Sequence, residues 1–71
     1  MSHRTYSVSE IVGTSPDGTD AAIRSALERA SATVRNIEWF EVVSTRGHAD
    51  ESGVLHFQVT LKVGFRLEDP S

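Results

Sequence analysis

The sequence contains no cysteine, which excludes disulfide bridges and thiolate metal sites and leaves the redox compartment unread. No apolar run is long enough for a signal peptide or a membrane span, and Met1-Ser2-His3-Arg4 leads straight into polar sequence; a cytoplasmic protein without a membrane partner is expected. A basic excess is also lacking. Seven Lys and Arg against ten Asp and Glu give a formal charge of -3, which argues against a nucleic-acid partner and leaves room for a local basic pocket for a small anion. Aromatics are scarce, with one tryptophan, one tyrosine and three phenylalanines, so each must be accounted for. Length is scarce too. The 71 residues allow a single domain, 1–71, whose fold buries only about 60% of the unfolded surface. Domains this small usually add disulfides, a metal or oligomerisation. With no cysteine, oligomerisation is the first expectation.

What is present reads as strand, helix, strand, strand. Residues 4–12 alternate Tyr6, Val8 and Val12 with Ser7, Ser9 and Ile11, a serine-rich pattern that fits an edge or solvent-facing strand. Residues 13–18 are punctuation: Ser15 is an N-cap with Pro16 at the first helical position, and Thr19-Asp20 is a competing start one turn later. From there to residue 35 the apolar positions Ile23, Ala26, Leu27, Ala30 and Val34 step by three and four, which predicts a helix. Its alanine-rich stripe lets it lie close to a sheet, and Asn36 suits a left-handed terminus. Residues 37–46 form the second strand and residues 47–53 a polar hairpin loop. Residues 54–67 form the third strand, with Leu55, Phe57, Val59, Leu61, Val63 and Phe65 on one face. Residues 68–71 are a frayed acidic tail. The expected fold class is α+β, β-α-β-β, a three-stranded antiparallel sheet with one helix packed on one face.

Trp39 and Phe40 are adjacent in the second strand, so they point to opposite faces. Pairing register places Phe40 and Val42 beneath the helix, with Phe40 filling the core. Trp39, Glu41 and Val43 then share the outer face with Gln58, Thr60, Lys62 and Arg66. That set suits a planar heteroaromatic ligand with a phosphate. Tryptophan stacks on a ring for about 1–3 kcal/mol, Gln58 donates to and accepts from a ring edge, and Lys62, Arg66 or Arg46 holds phosphate. The same residues also read as an oligomer contact at Trp39 amid ordinary solvent-side polar residues. By parity Arg46 faces the helix side unless a bulge redirects it. No catalytic residues are placed: no nucleophile–base arrangement is visible, and Glu38 and Glu41 point opposite ways. His3, His48 and His56 lack chelating spacing along the chain, so no metal site is expected.

The runs Val12-Gly13-Thr14-Ser15, Trp39-Phe40-Glu41-Val42, Arg46-Gly47, Phe57-Gln58-Val59 and Val63-Gly64-Phe65 resemble dodecin, its bacterial branch, over nearly the whole chain without gaps. The resemblance implies a small flavin-binding protein, not an enzyme, in a hollow homododecamer. Trp39 would stack on the isoalloxazine ring, with two flavins between symmetry-related tryptophans, and Gln58 would hydrogen-bond the ring edge. Arg46 and Arg66 match positions that help hold FMN or the assembly; riboflavin is the other candidate flavin. Some bacterial members bind coenzyme A; no residues here match that site one by one, and the serine-rich first strand departs from the more basic one it implies. The function expected from resemblance is flavin sequestration, storage and photoprotection. The alternatives are a structural or adaptor homo-oligomer anchored by Trp39 and, third, a flavin-dependent enzyme.

Overall fold

A computed structural model describes residues 3–68. The elements are β1 (Tyr6–Ser15), α1 (Thr19–Ser31), β2 (Ile37–Ala49) and β3 (Leu55–Arg66). The strands form one antiparallel sheet in the order β1-β3-β2, which is the α+β arrangement the hydrophobic periods predict. β3 takes the centre, and the serine-rich β1 is an edge as its composition implied. The acidic tail expected at Asp69, Pro70 and Ser71 lies outside the described residues.

Several boundaries differ from the sequence reading, each for a local reason. β1 continues to Ser15 because Gly13, Thr14 and Ser15 keep pairing with Val59, Gln58 and Phe57. The helix takes the later start: Ser15 Oγ accepts the Asp17 N–H at 3.0 Å, so it closes the turn before the helix instead of capping it. Gly18 stands at the cap with φ 130, a backbone conformation that favours glycine. The helix ends at Ser31, earlier than the apolar steps suggest. There the amides of Ala32 and Thr33 donate to the carbonyls of Arg29 and Ala30 three residues back, tightening the final turn. Asn36 does adopt the left-handed conformation, with φ 66. It turns the chain into β2, and its Nδ2 donates to the Arg66 carbonyl at 3.2 Å.

The core is small. Val59, Leu61 and Val63 of β3 are buried against Ala22 and Ala26 of α1. Gly13 sets the spacing: a Cβ there would meet the Ala22 carbonyl oxygen and lie 2.7 Å from the Ala26 Cβ. The alanine stripe therefore lets the helix sit close, as read, but the partner residue that permits it is a glycine in β1. α1 packs on β1 and β3 and touches β2 chiefly through Ile37, which joins the core. Phe40 pairs with Val63 and so lies on the helix side, yet it is 47% exposed. The expectation that Phe40 fills the core is corrected: its face was assigned correctly, but no helix reaches it.

The accessible surface of 5321 Å² exceeds by roughly a fifth the ~4,400 Å² of a compact monomer of this mass. The radius of gyration of 14.9 Å likewise exceeds the ~11 Å expected for this length. Part of that extension is the β2–β3 hairpin. Asp50 organises its tip: Oδ1 accepts from Ser52 N (2.9 Å), Ser52 Oγ (2.7 Å) and Val54 N (3.0 Å). His56, Ser52 and Val54, in that order of effect, hold the Asp50 carboxyl well below the ordinary carboxylate value. The folded state thus prefers the ionised form, and the stabilisation is present above pH 4 or so and lost as pH falls below it.

The close seat of the helix and the ionised carboxylate are each open to test. Gly13→Val should destabilise the chain by roughly 1–3 kcal/mol through overpacking, read as a lower thermal midpoint, while Gly18→Ala should act only through its φ. At pH 6, Asp50→Asn should show faster hydrogen exchange at the Ser52 and Val54 amides than the wild type does.

Candidate functional site

The outer face of the sheet is built in rows, because directly paired residues of neighbouring strands share a face. From one end these rows are Tyr6–Arg66, Val8–Gly64–Trp39, Glu10–Lys62–Glu41, Val12–Thr60–Ser44, Thr14–Gln58–Arg46 and His56–His48. Two interruptions in β2 produce them. The register shifts between Ile37 and Trp39 and again between Val42 and Ser44. Each inserts an extra residue, Glu38 and then Val43, and so reverses the facing of the strand beyond it.

At the first shift, Glu38 joins Trp39 on the outer face. Its Oε1 accepts from the Tyr6 hydroxyl at 2.9 Å, and its Oε2 stands 3.4 Å from Arg66 Nε. The reading that Glu38 and Glu41 point opposite ways is therefore corrected; both belong to the outer face. At the second shift, Arg46 is brought opposite Gln58. Strict parity would have put it beneath the helix, and the bulge redirects it.

Trp39 is 41% exposed, and its indole lies against Gly64. A Cβ on Gly64 would collide with indole atoms Cε2, Cζ2 and Nε1, so only glycine at that position lets the ring lie down on the sheet. The ring is seated against the sheet at Gly64 and remains partly exposed, which leaves it available to a second planar group. Sequence reasoning placed Gly64 among the outward residues without giving it a role. The available signal was a glycine interrupting an otherwise full alternation two residues from the strand's end.

The sequence-predicted residues share this face without forming one cluster. Trp39 lies on the Gly64 row, while Gln58 is six residues away along β3, about 20 Å at 3.3–3.4 Å per residue. Three fused rings do not span that distance. Arg66 is beside Trp39 but engaged with Glu38. Lys62 stands between Glu10 and Glu41 in its row. Of the three candidate phosphate ligands, Arg46 alone has no acidic residue in its row; it faces Gln58 with Thr14 beyond. The residues present fit a flavin in kind, with a supported indole at one end of the face and an amide beside a guanidinium at the other, provided that the two ends come from different copies of the chain.

Replacing Gly64 with Ala should lift the indole from its seat. Because Trp39 is the sole tryptophan, its emission reports this directly: acrylamide quenching should rise and the emission maximum should move to the red, with far-ultraviolet circular dichroism unchanged. Unaltered quenching would show that the indole does not rest on Gly64.

Comparison with known proteins bears on this face. The family model for Dodecin matches residues 5–68. A dodecin of Thermus thermophilus is 52% identical over 66 residues, covering 93% of this chain and 96% of that protein. The structure of a dodecin from Streptomyces davaonensis superimposes with a TM-score of 0.90 at 54% identity, covering 96% of this chain and all of that one. A calcium dodecin of Mycobacterium tuberculosis is 31% identical over 62 residues, 87% of each chain.

Proposed function

The chain belongs to the dodecin family, and on that premise we propose that it binds flavin, FMN in preference to riboflavin, within a hollow homododecamer of the cytoplasm. Its role is to sequester and store flavin and to protect it from light by stacking. The observation that carries this reading is the indole of Trp39 seated against Gly64 and 41% exposed. A tryptophan in that posture is a plate for a planar ring, worth about 1–3 kcal/mol per stacked ring.

The separation of Trp39 from Gln58 adds a condition. One copy supplies the plate and another supplies Gln58 and Arg46, so binding requires assembly. Exposed apolar residues on both faces, among them Val8, Val12, Phe40 and Val42, are surface that further copies would cover. FMN contributes the ring system; the chain supplies the plate, the amide at the ring edge and the cation. Arg46 is the phosphate reader in this reading, since Lys62 and Arg66 already face carboxylates. Beside Trp39, Tyr6 donates to Glu38, and Glu38 pairs with Arg66. Exposure of Trp39 also favours a second reading, an adaptor oligomer with Trp39 as interface anchor.

Flavin titration followed by fluorescence, together with light scattering, separates the two. Trp39→Ala should weaken flavin binding about ten- to a hundredfold and restore bound-flavin fluorescence while the assembly persists. Dissociation of the assembly, with flavin still bound normally by what remains, would favour the interface anchor. A scattering mass of one or two chains for the wild type would remove the assembly on which the site depends. Phe40→Ala should act on the assembly, lowering its dissociation temperature, because the protomer offers no closed cavity there. Wild-type affinity for FMN over riboflavin should shrink as salt rises. Arg46→Ala should abolish that preference and Lys62→Ala should leave it; the opposite outcome would identify Lys62 as the phosphate reader.

A further inference from the structure

At the tip of the β2–β3 hairpin, beyond the Gln58–Arg46 row, His48 pairs directly with His56. Their rings lie nearly parallel, with centroids 5.1 Å apart and an interplanar angle of 18°. Asp50 Oδ2 accepts from His56 Nε2 at 3.0 Å. These groups have no role in the proposed flavin site. They are accessible: the His56 side chain is 34% exposed and that of Asp50 38%, and His48 is exposed.

The geometry points to a binding site for a divalent transition-metal ion of the zinc, nickel or copper class, with His48, His56 and Asp50 as its ligands. Bonds of about 2.0–2.2 Å from nitrogen and oxygen to zinc put neighbouring ligand atoms roughly 3.0–3.4 Å apart. The 3.0 Å between Asp50 Oδ2 and His56 Nε2 is already that spacing. Two imidazoles on one ion hold their ring centres roughly 4.5–5 Å apart, close to the 5.1 Å found. Among the described residues no three such groups already surround one point. Here they stand in line, with Asp50 against His56 and His56 against His48. Because the two rings lie nearly parallel, convergence needs rotation of the exposed His48 about its side-chain bonds.

The carboxylate is built for the task. Its Oδ1 is fixed by two backbone amides and the Ser52 hydroxyl, which aims Oδ2 at His56; metal ligands are commonly oriented by such outer partners. An entering ion replaces the proton on His56 Nε2, which moves to Nδ1 or to solvent. Two imidazoles and one carboxylate select borderline divalent ions over calcium and magnesium, which prefer all-oxygen ligands. Three protein ligands leave further coordination positions open to water. Neither Trp39 nor flavin is needed, so failure here leaves the flavin reading untouched.

Calorimetric titration of the intact protein with Zn2+ and with Ni2+ at pH 7.5 tests this. One ion per chain should bind saturably. His48→Ala and His56→Gln should each weaken binding about tenfold or more without lowering the melting temperature of the metal-free protein by more than a few degrees. Copper added to the wild type should give an electron paramagnetic resonance spectrum with two coupled nitrogens, reduced to one in either variant. The proposal is overturned if no saturable binding occurs, if the double variant binds as the wild type does (placing the ion elsewhere, such as at His3), or if Ca2+ competes on equal terms with Zn2+.

Discussion

A single helix is too narrow for this sheet. An α-helix with its side chains is about 10–12 Å across, whereas three strands separated by about 4.7–4.9 Å present a wider surface once side chains are added. α1 therefore covers two strands, and the seat of Gly13 beneath Ala22 and Ala26 fixes which two: β1 and β3. Beyond Ile37, which packs against the core, the apolar residues on the helix side of β2 stay exposed. Phe40 and Val42 have the right facing for a core and lack a helix to complete it. The buried set is consequently small, while both faces of β2 and the outer face of β1 carry exposed large apolar side chains. The same deficit that weakens the single chain leaves the apolar surface on which the proposed assembly rests.

The fold was legible because periodicity in β3 and α1 is strong. Val59, Leu61 and Val63 could only be core residues, and their alternate neighbours could only face outward. β2 was less legible. Its facing changes twice through bulges at Glu38 and Val43, and nothing in the local composition marks either. A one-residue insertion costs little locally but reverses every residue after it, so period counting was right for Trp39 and Phe40 and wrong for Glu38. Arg46 needed the second bulge to leave the helix side, and parity alone gave the opposite placement. Ser15 shows the same limit at smaller scale. A serine before Pro16 satisfies the pattern of an N-cap, yet its hydroxyl is used one turn early, and a glycine begins the helix.

Face and neighbourhood are different properties, and the candidate site depends on the distinction. Alternation says which residues share a face. It does not say which of them a ligand can touch together, because distance accumulates along a strand. Trp39 and Gln58 were correctly assigned to one face and are nevertheless about 20 Å apart. Taken as a single cluster, they would describe a pocket that the protomer does not have. Taken as two ends, they are the complementary halves that the proposed function requires, with symmetry supplying what one chain has no room to enclose alone.

Charge is distributed along that face in the same divided way. Near Trp39, Arg66 has Glu38, and in the next row Lys62 has Glu10 and Glu41 on either side. Exposed pairs of this kind contribute little to stability, but they remove net positive charge from the neighbourhood of the indole. At the other end the bulge at Val43 has turned Arg46 toward Gln58, and among the described residues no acidic residue shares its row. The two bulges thus act in concert: the first brings Glu38 beside Trp39 and Arg66, and the second brings Arg46 opposite the Gln58 amide. A strand with unbroken alternation would leave Glu38 and Arg46 on the helix side. The outer face would then lose both Glu38 and Arg46, so the irregularities in β2 decide which charges this sheet surface carries.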